Sequence, residues 1–300
     1  MTILSTAKKL TKHTSPTDRP HLVEQISQSI IDTRFSEPGQ FRSRKVVTRS
    51  QARGTGRPID RRVPIQEIGG SDGAVLATIS AIQSIELPEP GQLRARKVVT
   101  RSQSRSTGKY PSWKMGRMLQ WESLNELNAF RLLDCDPNIT RFTEQPCEIV
   151  YVQDGAVKNH FPDILIETNG RKELWEVKPE TRAVRPEIVT RTALLTEHLP
   201  TWGYSYRVVL DRELARQPRL RNADRLLSFG RDTVTECEQE FIRLALKRCG
   251  ALVWSDACAG AYGSRGREIL CHLALNGTLS LDMNATWSAD TRFTTGKAGI

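Results

Sequence analysis

The sequence has no pair of cysteines close enough together to suggest a metal site or a redox motif. Its six cysteines are spread over 300 residues without any Cys-X-X-Cys arrangement. Four of them lie between Cys237 and Cys271, ahead of His272, but their spacings of 12, 9 and 13 residues fit no compact set of zinc ligands. Scattered cysteines in a chain of this length indicate reduced thiols, so we expect a cytoplasmic protein without a zinc site.

Long hydrophobic stretches are also missing. No apolar run approaches the roughly 18 residues of a membrane-spanning helix, and the first 16 residues lack the apolar core of a secretory signal. We therefore expect no membrane association. A chain of 300 residues can bury a core without covalent cross-links, which is enough for one mid-sized domain and a smaller one.

Positive charge is concentrated in the N-terminal third. Residues 1–110 hold 19 Lys and Arg against 9 Asp and Glu, whereas the other 190 residues hold 25 of each. The first segment therefore carries the whole formal net charge of +10. A concentrated basic segment indicates a polyanionic partner, usually DNA or RNA. The alternative is a solvated, disordered leader without a partner.

A duplicated segment lies within this basic region. Residues 37–57 and 89–109 are identical at 16 of 21 aligned positions, and read EPGQFRSRKVVTRSQARGTGR and EPGQLRARKVVTRSQSRSTGK. Two copies are too few for a solenoid, and neither copy has enough apolar content to fold alone. We interpret residues 1–109 as a basic, largely disordered arm. The residues of its second copy that we expect to contact DNA phosphates are Arg94, Arg96, Lys97, Arg101 and Arg105.

Apolar patterning predicts a short helix within residues 74–87 and a small α/β domain over residues 110–232. The Asn169-Gly170 pair predicts a tight hairpin inside this domain. The expected elements are, in order, a helix over 115–134 that Asp136-Pro137 ends, strand-like stretches over 141–152, 160–167 and 172–178, a helix over 186–199 and a strand over 204–210.

Residues 233–300 are expected to form a smaller C-terminal unit. Helices are predicted over 235–249 and 264–276, and a glycine follows each of them as a stop signal. A strand pair over 278–283 and 291–294 would complete a winged-helix-like domain. The alternative is a small helical cap on the α/β domain.

Three polar residues of the predicted hairpin have the chemistry of a phosphodiester hydrolase. Asp163 precedes one strand, while Glu176 and Lys178 lie on the next. An antiparallel hairpin brings Asp163 and Glu176 together, and the two-residue spacing puts Glu176 and Lys178 on one face, with Val177 pointing into the core. The alternative is a surface ion pair between Glu176 and Lys178.

Carboxylates of this kind predict a hard divalent cation. Carboxylate oxygens are ligands for Mg²⁺, and we expect that Mn²⁺ can replace it. The metal polarises the phosphate and lowers the pKa of an attacking water, and a nearby lysine orients or deprotonates that water. Phosphodiester hydrolysis by a magnesium-dependent endonuclease is therefore the expected reaction.

Two more carboxylates and a histidine lie near the hairpin in the sequence. Glu122 and Glu126 are four residues apart on the predicted helix, so both project from one face, and spacing alone does not say which of them reaches the metal. His160 precedes Asp163 by three residues and is expected on the opposite pleat, where a packing role is the simpler reading.

Residues 107–231 resemble the TnsA family, the endonuclease subunits of heteromeric transposases, which belong to the PD-(D/E)xK nuclease superfamily. The segments that carry the resemblance are TGKYPSWKMGRM, WESLNELNAF, EQPCEIVY, HFPDILI, WEVKP and YRVVLD. The resemblance implies a restriction-endonuclease-like core of a helix, a three-strand meander, a helix and a strand. The catalytic residues that it implies are Glu126, Asp163, Glu176 and Lys178, the first three as metal ligands.

The resemblance also chooses between the two helix glutamates. Ser123, Leu127 and Phe130 hold their family positions around Glu126, so the family pattern favours Glu126 over Glu122. Gln145, in the EQP segment, falls on a recurring family position for which we expect a structural or substrate-lining role. The candidate accessory residues are Glu122, Gln145 and His160. The duplicated arm has no counterpart in the family pattern.

The family implies a role in DNA transposition and recombination. Its members cut the non-transferred strand at transposon ends, while a recombinase-type transposase cuts and joins the other strand and an AAA+ regulator links both to the target. Double-stranded DNA and these two proteins are thus the implied partners. The alternatives are a stand-alone restriction or repair nuclease, and a non-catalytic DNA-binding assembly subunit. The complete set of Asp163, Glu176 and Lys178 argues against the last.

Overall fold

The computed structural model describes residues 81–96 and 106–297. The first repeat copy and three expected DNA-contacting residues, Lys97, Arg101 and Arg105, lie outside the described residues. The strands are β1 (Ile82–Glu86), β2 (Gly108–Ser112), β3 (Arg117–Trp121), β4 (Arg141–Glu144), β5 (Glu148–Gln153), β6 (Ala156–His160), β7 (Ile164–Thr168), β8 (Arg171–Lys178), β9 (Ser205–Leu210), β10 (Leu252–Val253), β11 (Leu279–Ser280) and β12 (Arg292–Thr295). The α-helices are α1 (Leu124–Cys135), α2 (Glu180–Ala183), α3 (Pro186–His198), α4 (Asp211–Leu214), α5 (Arg219–Phe229), α6 (Glu236–Cys249), α7 (Trp254–Cys258) and α8 (Gly266–Leu275).

A four-stranded sheet in the order β4-β7-β8-β9 forms the centre of this mixed α/β fold. The antiparallel hairpin of β7 and β8 is confirmed, and its two-residue turn is Asn169-Gly170, with Gly170 at a φ of 79° that favours glycine. β9 runs parallel to β8, and α3 lies in the crossover between them. Leu174 and Val177 lie on opposite faces of β8 and belong to two different hydrophobic clusters, so the sheet is covered on both sides.

Two of the predicted strands are interrupted by a proline. The stretch over 141–152 divides into β4 and β5, which belong to different sheets, and Gln145-Pro146 lies at the break with Gln145 at a φ of 45°. The stretch over 160–167 is shortened to β7, because its first residue, His160, ends the separate and unpredicted strand β6, and Phe161-Pro162 lies between the two strands. Proline has no N–H to donate to a strand ladder, and this is why both breaks fall there.

The short helix expected within residues 74–87 is wrong for the part that the structure describes. Residues 82–86 form β1, which pairs antiparallel with β5 at the edge of a second sheet of order β1-β5-β6. Ile82 is almost fully buried in the second cluster. The core therefore begins within the segment that we interpreted as an arm, because β5 offers a free edge and β-branched isoleucines suit a strand.

The helix expected over 115–134 begins only at Leu124. The residues before it form the antiparallel hairpin of β2 and β3, which turns at Gly116 with a φ of 61°. Met118 and Trp121 continue the three-residue spacing of the apolar residues Leu124 and Leu127 in α1, and for this reason the pattern predicted a longer helix. Ser123 caps the true start of α1. The predicted end is confirmed, since α1 stops at Cys135 before Asp136-Pro137.

Asp134 fixes α1 to the β2–β3 hairpin. Its carboxylate is fully buried and accepts hydrogen bonds from Tyr110 Oη at 2.7 Å, Ser112 Oγ at 2.6 Å and the backbone N–H of Trp113 at 3.0 Å. A buried carboxylate with several donors holds its neighbours in one geometry, since loss of any donor leaves buried charge uncompensated. This network therefore anchors the C-terminal end of α1 to the β2–β3 hairpin.

The C-terminal elements follow the order α6, β10, α7, α8, β11, β12, with the strands arranged as β10-β12-β11. The two predicted helices and the predicted strand pair are present within a few residues, and Gly250 ends α6 in the left-handed region with a φ of 73°. Phe293 and Leu270 pack in the same hydrophobic cluster as Phe130 of α1. Among the described helices, none is both long and apolar enough to cross a membrane.

Candidate active site

Asp163 is held at the open end of the β7–β8 hairpin by the backbone of β8. Its N–H donates to the Trp175 carbonyl oxygen at 2.9 Å, and its Oδ2 accepts from the Val177 N–H at 2.7 Å. Both bonds come from the strand that carries Glu176 and Lys178. The antiparallel register therefore aligns the aspartate with those two side chains and limits its rotation.

Lys178 lies between the two carboxylates of the hairpin. Its Nζ is 2.6 Å from Glu176 Oε1 and 3.8 Å from Asp163 Oδ2. The predicted common face of Glu176 and Lys178 is thus confirmed, and Val177 between them is buried in the core. Glu176 itself is only 3% exposed, so a simple surface ion pair does not describe this contact.

Burial and mutual repulsion dominate the electrostatics of this cluster. Burial raises the pKa of Asp163 well above its usual range, and the Glu176 carboxylate raises it further. Burial lowers the pKa of Lys178, but Asp163 and Glu176 together outweigh it and raise the pKa above its ordinary value. Asp163 and Glu176 thus favour the ammonium form of Lys178, which can orient a water or a phosphate beside them.

Glu126 is the third residue of α1 and faces the same cluster. Burial raises its pKa, whereas the nearby Lys178 lowers it, and its own charge in turn raises the pKa of Asp163. In this structure its carboxylate is turned onto the helix start, accepting from the Glu122 N–H and from Ser123 Oγ, both at 2.8 Å. The structure thus brings Glu126 near Asp163 and Lys178, with its oxygens used as a helix cap.

Glu122 and Gln145 lie beside the cluster and contact the end of the arm. Arg96 Nη2 is 2.9 Å from Glu122 Oε1 and 3.0 Å from Oε2, and Gln145 Nε2 donates to Oε1 at 3.3 Å. The Gln145 N–H donates to the Asp163 carbonyl oxygen at 2.9 Å. Gln145 is 3% exposed and has a positive φ, a strained conformation for a non-glycine residue.

His160 does not lie on the far side of the sheet, as strand alternation predicted. The chain bends at Phe161-Pro162, so His160 ends β6 and points at Glu176, with Nε2 3.4 Å from Oε2. Tyr206 Oη lies 3.1 Å from the same nitrogen. Burial lowers the His160 pKa well below its usual range, and Arg191 and Lys178 lower it further, which keeps the ring neutral at pH 7.

Sequence reasoning missed Arg191 and Tyr206. Arg191, on α3, donates from Nη2 to Glu176 Oε1 at 3.0 Å, and Tyr206, on β9, reaches His160. Glu176 shares a face of β8 with Leu174, and α3 covers that face through Leu195. Both contacts arise from the parallel β8–α3–β9 crossover, and an arginine 15 residues after a glutamate carries no local signal in the sequence.

The expected arginines of the second repeat copy are partly used inside the protein. Arg96 pairs with Glu122, and Arg94 Nε lies 3.7 Å from the buried Glu144 Oε1. Two open cavities of about 300 and 330 Å³ lie beside Trp287, and no residue of the hairpin cluster lines either one. These two cavities therefore lie away from the hairpin cluster.

The carboxylates fit a hard cation by chemistry but do not form a ready-made coordination site. Among the described residues, no three His, Cys, Asp or Glu side chains converge as metal ligands. Glu126 is used as a cap, and Lys178 and Arg191 take Glu176 Oε1. Glu176 Oε2, by contrast, is buried without a hydrogen-bond partner, and an unpaired buried carboxylate oxygen is a group that a divalent cation would satisfy.

Residues 136–211 match a model of the family described as TnsA-like endonuclease, N terminal. The matched region contains Gln145, Asp163, Glu176 and Lys178, whereas Glu122 and Glu126 precede it. The match supports a TnsA-like nuclease family for this part of the chain, and the mixed α/β fold agrees with a nuclease of that kind. Among proteins of curated function, none matches this chain.

Proposed function

We propose that this protein is a metal-dependent DNA endonuclease of the PD-(D/E)xK type that hydrolyses a phosphodiester at transposon ends. The observation that carries the proposal is Lys178 between Asp163 and Glu176 at one end of a hairpin. A lysine and two acidic groups fixed together in this way suit phosphodiester hydrolysis, and the hairpin lies within the region matched by the TnsA-like endonuclease family.

Mg²⁺, or Mn²⁺ in its place, is the cofactor that we propose. Asp163, Glu176 and Glu126 would hold it through carboxylate oxygens. Bound there, the cation would polarise the scissile phosphate and make a coordinated water acidic enough to attack it. The donor set supports this assignment, since burial and the Glu176 carboxylate raise the pKa of Asp163, and a bound cation would stabilise its ionised form.

The chain's own residues then prepare the site. The Val177 N–H fixes Asp163, Arg191 fixes Glu176, and the Lys178 ammonium provides positive charge beside the position where negative charge develops on the phosphate. Glu126 contributes once it releases the Glu122 N–H and Ser123 Oγ. His160 lies beside Glu176 on the side that faces β9, with its Nε2 next to Tyr206 Oη.

The role in transposition rests on the family resemblance. We propose that the protein acts on double-stranded DNA at transposon ends together with a recombinase-type transposase and an AAA+ regulator. The basic arm would add contacts to DNA phosphates, which are independent of sequence. The order of helices and strands after residue 233 suits a winged-helix-like domain that binds DNA or one of these partners.

Cation dependence of cleavage tests the proposal. Transposon-end DNA, with the proposed transposase partner present, should be cut in Mg²⁺ or Mn²⁺ and left intact in EDTA or Ca²⁺, whose loose coordination supports binding better than chemistry. Asp163→Ala should abolish cutting while the protein still folds and binds DNA. Full cleavage in EDTA, or by Asp163→Ala, would end the nuclease proposal.

A further inference from the structure

Residues 89–96, the start of the second repeat copy, bind to a surface beside the candidate active site. We call it the repeat-binding surface, and its residues are Glu122, Glu144, Gln145 and Phe161. The Ala95 N–H donates to the Gln145 carbonyl oxygen at 3.0 Å. The bound segment starts with a tight turn, closed by the Gln92 N–H donating to the Glu89 carbonyl oxygen at 2.8 Å, with Gly91 at a φ of 89°.

Arg96 makes the strongest contact to this surface. Its guanidinium binds the Glu122 carboxylate at 2.9 and 3.0 Å, its Nε donates to Gln145 Oε1 at 3.4 Å, and it lies 5.6 Å from the centre of the Phe161 ring. Among the described residues, Arg96 is the one cation within ion-pair distance of Glu122. The Glu122 charge raises the pKa of the neighbouring Glu126. Without Arg96, this repulsion between the two carboxylates would be stronger.

Arg94 is held less well. Its Nε is 3.7 Å from Glu144 Oε1, which Arg117 already binds at 3.0 and 2.8 Å. Arg94 Nη1 is buried without a hydrogen-bond partner among the described residues. A buried donor without a partner costs free energy, so this segment is not optimally matched to its site and its departure is less costly than a fully bonded contact would be.

The first repeat copy carries every group that these contacts use. Residues 37–40 have the same sequence, EPGQ, as the turn at 89–92, and Arg42 and Arg44 correspond to Arg94 and Arg96. The two differences between 37–44 and 89–96 avoid the contacts. Phe41 stands in place of Leu93, which is 57% exposed. Ser43 stands in place of Ala95, which contacts Gln145 through its backbone N–H.

We propose that residues 37–44 of the same chain are a second ligand of the repeat-binding surface and exchange with residues 89–96. Exchange keeps an arginine on Glu122 while it releases Arg94 and Arg96 for another anion. The sequence leaves 37 residues between Arg44 and Ile82. A random coil of that length spans about 33 Å on average, so a ligand within the same chain has an effective concentration near the millimolar range, above that of a second chain in dilute solution.

Photo-crosslinking in the full-length protein tests this proposal. A benzophenone amino acid replaces Leu93 in one sample, and its crosslinked peptides define the bound position. The same amino acid then replaces Phe41 in a chain with Arg94→Ala and Arg96→Ala, in which the second copy has lost its arginine contacts to the surface. A matched control chain carries Arg42→Ala and Arg44→Ala as well, so that the first copy has lost its arginines too. Equal mixtures of ¹⁵N-labelled and unlabelled chains distinguish crosslinks within a chain from crosslinks between chains.

The benzophenone at position 41 should crosslink, within one chain, to the same peptides as the benzophenone at position 93. The yield should fall roughly tenfold or more when Arg42 and Arg44 are also replaced, since charge-assisted hydrogen bonds carry the contact. If the double variant fails to fold, Arg96→Ala alone serves for the same comparison. Absence of those peptides in the Arg94→Ala/Arg96→Ala chain, an equal yield after Arg42 and Arg44 are also replaced, or crosslinks only between labelled and unlabelled chains would overturn the proposal.

Discussion

The Lys178 ammonium lies 2.6 Å from Glu176 Oε1, two residues away on the same face of β8, with both side chains mostly withdrawn from water. A buried acid and base that close are costly to maintain for stability alone, because desolvation offsets much of their attraction. The Asp163 carboxylate, 3.8 Å from the same nitrogen, increases that cost. Strained charge clusters of this kind are typical of sites that bind an ion or substrate.

Replacing the two helix glutamates should separate their roles. Glu126→Gln keeps a side-chain oxygen that can accept from the Glu122 N–H, so the helix cap survives while the metal-binding charge is lost. Cleavage should fall about 100-fold or more, because metal coordination contributes several kcal/mol to the transition state. Glu122→Gln, which keeps an oxygen for Arg96, should cut within about threefold of wild type, a difference of less than 1 kcal/mol.

Cleavage rates of both variants and circular dichroism spectra provide the measurement. An active Glu126→Gln with an inactive Glu122→Gln would show that the wrong turn of the helix start has been assigned to the metal.

Arg191 should act on cleavage by positioning Glu176. Arg191→Ala leaves Glu176 Oε1 with Lys178 as its remaining cation, and loss of one charge-assisted hydrogen bond of about 1.5–3 kcal/mol corresponds to a roughly 10- to 100-fold slower reaction. Arg185→Ala, an exposed arginine at the N-terminal end of the same helix, is the matched control and should be unaffected.

A positioning role has a second signature, since the concentration of Mg²⁺ needed for half-maximal cleavage should rise in Arg191→Ala and recover in part in Arg191→Lys. An unchanged rate and cation dependence would assign Arg191 to packing only.

Asp163 should make the cation-free protein less stable than it could be. Burial and Glu176 disfavour its ionised form, which is the meaning of its raised pKa, so Asp163→Asn should raise the melting temperature in EDTA, by about 2–4 °C for each kcal/mol of repulsion removed. The sign follows from linkage, because an acid whose pKa is raised in the folded state holds its proton more tightly there than in the unfolded state. Folding stability therefore falls as the pH rises from the unfolded-state pKa through the folded-state pKa, and Asp163→Asn lacks this loss.

Added Mg²⁺ should stabilise the wild type and leave Asp163→Asn almost unchanged, since only a protein that binds the ion gains stability from it. Differential scanning calorimetry with and without Mg²⁺ provides the measurement. Equal stabilisation of both proteins by Mg²⁺ would place the cation elsewhere.

The basic arm should contribute to DNA affinity without contributing sequence preference. Removal of residues 1–80 keeps β1, which is part of a sheet, and should weaken binding similarly for all DNA sequences. Each lost phosphate contact should reduce the slope of log affinity against log salt by about 0.9. Fluorescence anisotropy over a salt series is the measurement, and a slope that stays the same after truncation would mean that residues 1–80 make no contacts to DNA phosphates.

The sequence predicted the local structure well and the tertiary contacts poorly. The Asn169-Gly170 turn, the Gly250 helix end and the stop at Asp136-Pro137 were predicted because each depends on a few adjacent residues. The breaks at Gln145-Pro146 and Phe161-Pro162 were missed because strand-like residues lie within a few positions on both sides of each proline. The prolines themselves are the signal for both breaks, since proline has no N–H to donate to a strand ladder.

The hairpin cluster could be predicted because strand alternation fixes which side chains share a face. Arg191 and Tyr206 could not, since they reach Glu176 and His160 only through the packing of α3 and β9 on β8. The pairing of Arg96 with Glu122 likewise depends on how residues 89–96 lie across the start of α1.

Cleavage of transposon-end DNA by two alanine variants of one strand tests the nuclease assignment most directly. Glu173 and Glu176 both lie on β8, but their odd and even positions put them on opposite faces, so Glu173→Ala controls for changes in strand charge and stability. In Mg²⁺, with partner proteins present, Glu173→Ala should cut like wild type, whereas Glu176→Ala should be slower by about 100-fold or more, as should Lys178→Ala. Wild-type cutting by folded Glu176→Ala and Lys178→Ala would contradict the assignment of this hairpin as the active site.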